Sequence, residues 1–291
     1  MKGSYYRAKS VDEVISLLQA GRGRARIIAG GTDLMLQLKK QQEEVESMID
    51  ISGVKELRGI KEEGDELLIG AAITHTGLEQ SLAVKEYATA LAEAASQIGS
   101  PQIRNLGTPG GNVVNAAPAA DVAVALVALG AEAELIAPGK GMVRLPVEDL
   151  YRGVMESEVN SCRQLLTVFR LRKTKNGQAS SFQRLSSRQA LSLPTVNAAV
   201  FLSLRDKRVE ELRLVAAPVG KGPLPLEKTA QRARGENFDQ RLFSGLKHWA
   251  REEIEIRTSA LRGSQDYREE MAVLLLGRAL RQAGERIGVK I

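Results

Sequence analysis

Two pairs of adjacent glycines, each beside hydroxyl or amide side chains, are the residues of this 291-residue chain best suited to hold a ligand. Glycines let the backbone approach a bound molecule, and consecutive N–H groups in such a turn form a concave anion site. The first pair follows an apolar run and precedes a predicted helix start, whose amides favour a phosphate. An ordinary strand-to-helix turn remains an equally open interpretation. The candidate residues of this first segment are Ile28, Ala29, Gly30, Gly31, Thr32, Asp33 and Leu34.

The second pair lies in a segment rich in turn-forming residues. Residues 99–118 contain four Gly, three Pro and three Asn with little periodicity, so we expect no regular element there. Within it, Gly110 and Gly111 stand between Thr108 and Asn112. Two glycine turns about 80 residues apart could hold the two ends of an extended phosphate-bearing ligand. A purely structural loop is the alternative.

Predicted helices and strands must position these turns. Residues 1–52 read as a small α/β unit with parallel strands at 25–29 and 47–51 and a helix over 33–40. Beyond it, the patterns predict a hairpin over 57–73, helices over 84–98 and 121–129, and strands over 132–137 and 142–146. In the second half they predict strands at 164–171, 196–205 and 211–217, followed by helices at 225–233, 238–256 and 267–287.

Composition excludes several classes of protein. Hydrophobic residues make up 43% and charged residues 26%, which excludes a disordered chain or a fibre. Aromatic residues make up only 4%, which argues against a nucleic-acid binder. The single cysteine, Cys162, can neither close a disulfide nor hold an iron–sulfur cluster, and no zinc-ligand pattern is present. No apolar stretch is long enough to span a membrane, so we expect a soluble, cytoplasmic protein.

Charge divides the chain at its middle. Residues 1–150 carry 15 Lys and Arg against 20 Asp and Glu, whereas residues 151–291 carry 26 against 15. This change of sign fits a domain boundary and a basic face on the second half. A solvated basic surface without a partner is the alternative.

No set of acid, base and nucleophile is evident. Cys162 has no histidine near it in sequence. His75 follows a predicted strand and could line a cleft, or could be a structural histidine. The missing acid–base set indicates chemistry carried by a bound cofactor.

The two glycine segments together resemble a known family. AGGTDL at 29–34 and TPGGNVVNAAPAAD at 108–121 resemble the FAD-binding subunit of the molybdenum hydroxylases, the xanthine dehydrogenase and carbon monoxide dehydrogenase family. That family shows A-G-G-T-D/S-L and then T-I-G-G-N-x-x-N-x-S-P-A-x-D. Phe182–Arg184, and Leu261–Ser264 with Tyr267–Arg268, extend the resemblance over essentially the whole chain.

The resemblance implies FAD as the cofactor and assigns roles to individual residues. The 29–34 segment and the 108–112 segment would bind the FAD phosphates and ribityl chain. Asn115 and Asp121 would brace the second loop or touch the flavin. Thr74 matches a flavin-proximal Thr, and Arg184 matches a basic residue near the isoalloxazine. Two departures are Pro109, which replaces Ile and lacks an N–H, and Ala117, which replaces Ser.

By the same resemblance, the fold is α+β in two domains. Residues 1–175 would form the FAD-binding domain, with a small α/β lobe at 1–55 and a larger mixed lobe at 56–175. Residues 176–291 would form a three-stranded antiparallel sheet with helices.

The implied function is electron transfer within an oxidoreductase complex. Electrons would pass from a molybdopterin-binding large subunit, through a 2Fe-2S small subunit, to FAD and then to NAD or another acceptor. No nucleic-acid or membrane partner is expected. The alternatives are a stand-alone flavin-dependent oxidoreductase and a nucleotide-binding scaffold protein that has lost FAD.

Overall fold

A computed structural model describes residues 3–40, 45–188, 192–256 and 263–291. Its strands are β1 (Ser4–Arg7), β2 (Ala25–Ile28), β3 (Ser47–Asp50), β4 (Ile60–Glu63), β5 (Glu66–Gly70), β6 (Glu132–Ala137), β7 (Gly141–Pro146), β8 (Tyr151–Gly153), β9 (Glu156–Ser157), β10 (Leu165–Arg172), β11 (Gln178–Ser186), β12 (Pro194–Arg205), β13 (Arg208–Ala217) and β14 (Leu224–Pro225). Its helices are α1 (Val11–Gly21), α2 (Leu34–Lys39), α3 (His75–Gln80), α4 (Leu82–Tyr87), α5 (Thr89–Ser96), α6 (Pro101–Arg104), α7 (Pro109–Val114), α8 (Asp121–Ala128), α9 (Glu227–Ala233), α10 (Gln240–Glu253) and α11 (Gln265–Arg286).

A parallel sheet of order β1-β3-β2 begins the chain. Helix α1 covers it and starts at Ser10, whose side chain accepts a hydrogen bond from the Glu13 N–H. Val14 and Leu18 of α1 pack with Ile49 of the central strand in one apolar cluster. The predicted parallel α/β unit is therefore confirmed, with β1 as a strand that the sequence patterns did not indicate.

The next sheet is antiparallel and has the order β4-β5-β10-β6-β7. The predicted strand at 164–171 is β10, the central strand of this sheet. The third sheet has the order β11-β12-β13-β14. It is antiparallel, as expected, and β12 and β13 are the predicted strands at 196–205 and 211–217, while the two-residue β14 adds an edge. Strand β11 was not indicated by the sequence patterns.

Two local predictions were wrong. Residues 99–118 are not irregular throughout, because they hold the short helices α6 and α7. Ser100 and Thr108 cap these helices and Pro101 and Pro109 occupy their first turns, where a missing N–H costs nothing. The single helix expected over 84–98 is instead α4 and α5, which are separated at Ala88.

Helix α8 lies at the centre of the molecule, and all eight of its residues are buried. Its apolar side chains belong to one cluster with Phe169 of the second sheet and with Phe201 and Val215 of the third. The other face of the third sheet packs against α9, α10 and α11. The mixed fold of two sheet-and-helix halves is thus α+β, as predicted.

Within the described ranges, no helix combines the length and apolar character needed to cross a bilayer. Nor do the described side chains form a His, Cys, Asp and Glu cluster able to bind a metal ion. The motif at Leu261–Ser264 begins outside the described residues.

Candidate functional site

A cleft of about 920 Å³ lies between the small parallel sheet, the α6–α7 segment and the start of the third sheet. Its volume falls in the range of pockets that hold cofactors. Most of the predicted site residues line it: Ile28, Ala29, Gly30, Gly31, Thr32, Asp33, Leu34, Thr108, Gly111, Asn112, Asn115, Asp121 and Arg184. Gly110 and Thr74 are not among its lining residues.

The first glycine turn connects β2 to α2 and forms one wall of the cleft. Gly31 adopts a φ of 67°, a conformation that favours glycine. A Cβ on Gly30 would lie 1.9 Å from the Leu106 carbonyl oxygen, so only glycine allows this close approach. Among the described residues, no protein group accepts a hydrogen bond from the backbone N–H groups of Gly30, Gly31, Thr32 or Asp33. These donors are therefore available to an anion in the cleft.

Asp33 follows this turn, and burial raises the pKa of its carboxyl. Its side chain does not cap α2. It thus stands as a hydrogen-bonding group on the cleft wall beside the free N–H groups.

The second glycine turn is the N-terminus of α7. The Thr108 hydroxyl accepts a hydrogen bond from the Gly111 N–H at 3.0 Å. The Gly110 N–H donates to the Ala71 carbonyl at 2.9 Å, and a Cβ on Gly110 would lie 2.6 Å from that oxygen. Gly110 is therefore an anchor for the loop and faces Ala71, whereas Gly111 and Asn112 face the cleft.

The two turns are joined across the cleft. Gln37 of α2 donates from Nε2 to Oδ1 of Asn115 at 3.1 Å. The contact of Gly30 with the Leu106 carbonyl makes a second connection. Asn112 Oδ1 accepts from the Ala123 N–H at 3.2 Å and ties the second turn to α8. The structure thus brings both glycine turns to one cleft.

Pro109 occupies the first turn of α7, is buried and does not line the cleft. The absence of an N–H on Pro109 therefore removes no hydrogen-bond donor from the cleft wall. Ala117, the other departure from the family pattern, does line the cleft. Thr74 lies beyond the wall and caps α3, where its hydroxyl accepts from the Gly77 N–H at 3.1 Å.

Arg184 reaches the cleft from β11, and its guanidinium is bound by other groups of the protein. Its Nη atoms donate to the carbonyl oxygens of Gln97 and Ser192. Its Nε lies 3.6 Å from Oδ2 of Asp121, and both side chains are buried. Asn197 Nδ2 donates to Oδ1 of Asp121 at 2.5 Å.

This cluster connects the two halves of the chain at the cleft wall. Burial raises the pKa of Asp121 to about 6, although Arg184 and the Asn197 hydrogen bond both act to lower it. Arg184 thus lies at the cleft with Asp121 beside it, so the charge it presents there depends on the ionisation of this carboxyl.

Several residues that line the cleft were not among the predicted site residues, and three of them have long or ionisable polar side chains. Arg26 of β2 and Gln37 of α2 line the cleft on the side of the first turn, and His75 lines it near Gly107. The sequence does contain a signal for Arg26, because it is a basic residue within an apolar strand and lies two positions before the end of that strand at Ile28. Gln37 is marked only by lying one helical turn after Asp33.

The cleft fits an extended dinucleotide cofactor such as FAD. Free backbone donors at the first turn suit a diphosphate, and the glycines remove the side chains that would fill this cradle. The neighbouring carboxyl and amide side chains of Asp33 and Asn112 suit hydroxyl groups.

Comparisons with known proteins agree over the whole chain. Residues 1–171 match a family model described as FAD binding domain in molybdopterin dehydrogenase, and residues 181–283 match one described as CO dehydrogenase flavoprotein C-terminal domain. The xanthine dehydrogenase FAD-binding subunit of Escherichia coli O157:H7 is 28% identical over 289 residues, 99% of this chain and 98% of the relative. The carbon monoxide dehydrogenase medium chain of Hydrogenophaga pseudoflava is 30% identical over 284 residues, 97% of each.

Solved structures give the same result. A structure of carbon monoxide dehydrogenase from Hydrogenophaga pseudoflava superposes with a TM-score of 0.91 at 28% identity, covering 98% of each chain. A chain of the Cu,Mo-CO dehydrogenase superposes with a TM-score of 0.89 at 29% identity, covering 98% of this chain and 99% of that one.

Proposed function

The chain belongs to the FAD-binding subunits of the molybdenum hydroxylases, and from that premise we propose that it transfers electrons between a 2Fe-2S partner subunit and a final acceptor. FAD is its cofactor, and the enzyme of which it forms part is an oxidoreductase. Electrons would reach FAD from the 2Fe-2S donor and leave it for NAD or another acceptor.

The proposal rests on the N–H groups of Gly30–Asp33, which have no acceptor in the part of the chain that the structure describes. A diphosphate placed there would receive several hydrogen bonds from a backbone that needs no rearrangement. The second turn, held to the first through Gln37 and Asn115, would enclose the next part of the same molecule.

The residues of the chain bind and orient the cofactor. Gly30, Gly31 and Thr32 would hold the diphosphate through backbone donors, and Asp33 and Asn112 would accept from or donate to hydroxyl groups. Arg184, fixed by Asp121 and two carbonyl groups, would place a positive charge at the cleft wall. Bound FAD supplies the conversion between one-electron and two-electron transfer.

Two features support the need for partner subunits. Among the described cleft residues no hydroxyl or thiol is hydrogen-bonded to His75 or to a carboxylate, so no activated nucleophile is present and oxidation of an organic substrate would occur on another chain. Relatives are named medium chains or FAD-binding subunits, which are parts of larger enzymes. The proposed partners are a molybdopterin-binding large subunit and a 2Fe-2S small subunit. The single cysteine, which needs no oxidising compartment, supports a cytoplasmic complex.

Flavin retention tests the cofactor site. The purified full chain is mixed with FAD, desalted and examined for visible flavin absorbance, with about one FAD per chain as the expected result. Excess ADP should lower retention, because it supplies the diphosphate without the flavin. A folded chain that retains no FAD would contradict the proposal.

Metal analysis of the co-purified complex tests the partners. The tagged chain, isolated from its native cell, is expected to bring down molybdenum and iron together. A flavin-loaded chain that purifies alone from those cells would instead indicate a stand-alone flavoprotein.

A further inference from the structure

His75 occupies a buried position in the wall of the cleft. It is the first residue of α3 and is only 3% exposed, yet it lines the cleft. Its backbone N–H donates to the Gly107 carbonyl at 3.0 Å, which fixes the start of α3 against the second glycine segment. The imidazole is therefore held rigidly in the cleft wall.

The two ring nitrogens of His75 differ. Nδ1 is sealed in the protein with no hydrogen-bond partner among the described residues. Nε2 lies on the side of Gly107, 3.3 Å from where a Cβ of that glycine would stand, and Gly107 lines the cleft. A buried N–H without an acceptor is costly, so the ring proton belongs on Nε2.

The imidazole is neutral at physiological pH. Burial, and then the positive charge of Arg104, lowers its pKa to about 4. A neutral ring with its proton on Nε2 has one donor to offer, on the side of the cleft.

We infer that His75 is a cofactor-binding residue whose Nε2–H donates to an oxygen of the ribityl–diphosphate part of FAD. The position follows from the fold, because Gly30 of the first turn rests on Leu106 and Gly107 next to the His75 ring. The donor would thus lie near the N–H groups of Gly30 and Gly31, which have no protein acceptor among the described residues. This inference rests on the proposed function.

Three substitutions separate this role from a structural one. His75→Phe keeps a planar ring and removes the donor. His75→Gln places an amide near the position of Nε2, and His75→Asn places one near Nδ1. Affinity for FAD is measured with each full-length variant by quenching of flavin fluorescence, beside thermal unfolding of the unliganded chain.

A neutral hydrogen bond of about 1 kcal/mol corresponds to about a fivefold change in Kd. We expect His75→Phe and His75→Asn to bind FAD about fivefold more weakly and His75→Gln to bind like the wild type. Equal affinity for His75→Phe and wild type would overturn the inference. If His75→Phe does not fold, equal affinities of the Gln and Asn variants would overturn it. A folded wild-type chain that binds no FAD would instead overturn the proposed function.

Discussion

Replacing Gly30 with alanine is the most direct perturbation of the first glycine turn. The added Cβ would lie 1.9 Å from the Leu106 carbonyl oxygen, whereas Cβ contacts under 3.0 Å are essentially not observed. The first turn and the α6–α7 segment would therefore have to separate by at least about 1 Å. That contact is between two backbones, so no side chain can move aside to relieve it.

The expected loss is larger for binding than for stability. Overpacking of this kind costs about 1–3 kcal/mol of folding free energy. Hydrogen bonds to a charged group contribute about 1.5–3 kcal/mol each, so misplacing one backbone donor from the diphosphate weakens FAD binding roughly 10- to 100-fold. Adjacent donors move with it, so the upper part of this range is expected.

Fluorescence titration with FAD, compared with urea unfolding of the unliganded chain, measures the two effects separately. Gly59→Ala is the matched control, because a Cβ there meets no atom within 4 Å and Gly59 has no positive φ. The control should bind FAD like the wild type. Wild-type affinity in a folded Gly30→Ala chain would refute the assignment of this turn to the diphosphate.

Three further predictions concern the cleft wall and the surface. Arg184→Met leaves the buried Asp121 carboxylate without its cation and should lower the free energy of unfolding in urea by about 3–5 kcal/mol. Adding Asp121→Asn should restore part of that loss. If the effects of the two substitutions simply add in the double variant, the ion pair is contradicted. His75 is neutral in the folded chain, with a pKa of about 4 against 6.5 for an ordinary histidine. The contribution of the buried neutral ring to folding stability is therefore complete above pH 6.5 and is lost as the pH falls towards 4. Between pH 7.5 and pH 5 the wild type should lose about 2 kcal/mol more stability than His75→Gln, and equal losses would show that the ring is not buried as described. If the basic second half docks partner subunits, the complex should weaken as salt rises from about 0.1 M to about 1 M, and a complex insensitive to salt would count against that docking face.

The parts of the site that could be predicted from sequence are those encoded locally. The strand, the Gly30–Gly31 turn and the α2 start are consecutive in the chain, so apolar pattern and glycine position are sufficient to indicate them. The helices α6 and α7 were missed, although Ser100–Pro101 and Thr108–Pro109 are both cap-and-proline signatures of a helix start. The high glycine and asparagine content of this segment indicated an irregular loop instead.

Features that depend on distant contacts could not be predicted. Asp121 meets Asn197 from 76 positions away, and the Arg184 guanidinium is fixed by carbonyl groups on two separate segments. The burial of His75 depends on how the second glycine segment folds back on α3. The central position of strand β10 likewise comes from its pairing with β5 and β6, which its own sequence does not show.

The central position of α8 has a consequence for the use of this chain as a building block. The family boundary between residues 171 and 181 divides the sequence, but the apolar cluster around α8 takes side chains from both sides of it. Cutting the gene at that boundary would leave Val122 and Leu126 facing water in one fragment and Phe201 in the other. Grafting a foreign C-terminal half onto this cofactor-binding half would therefore require re-matching the shapes of those surfaces, even where the cleft itself is untouched.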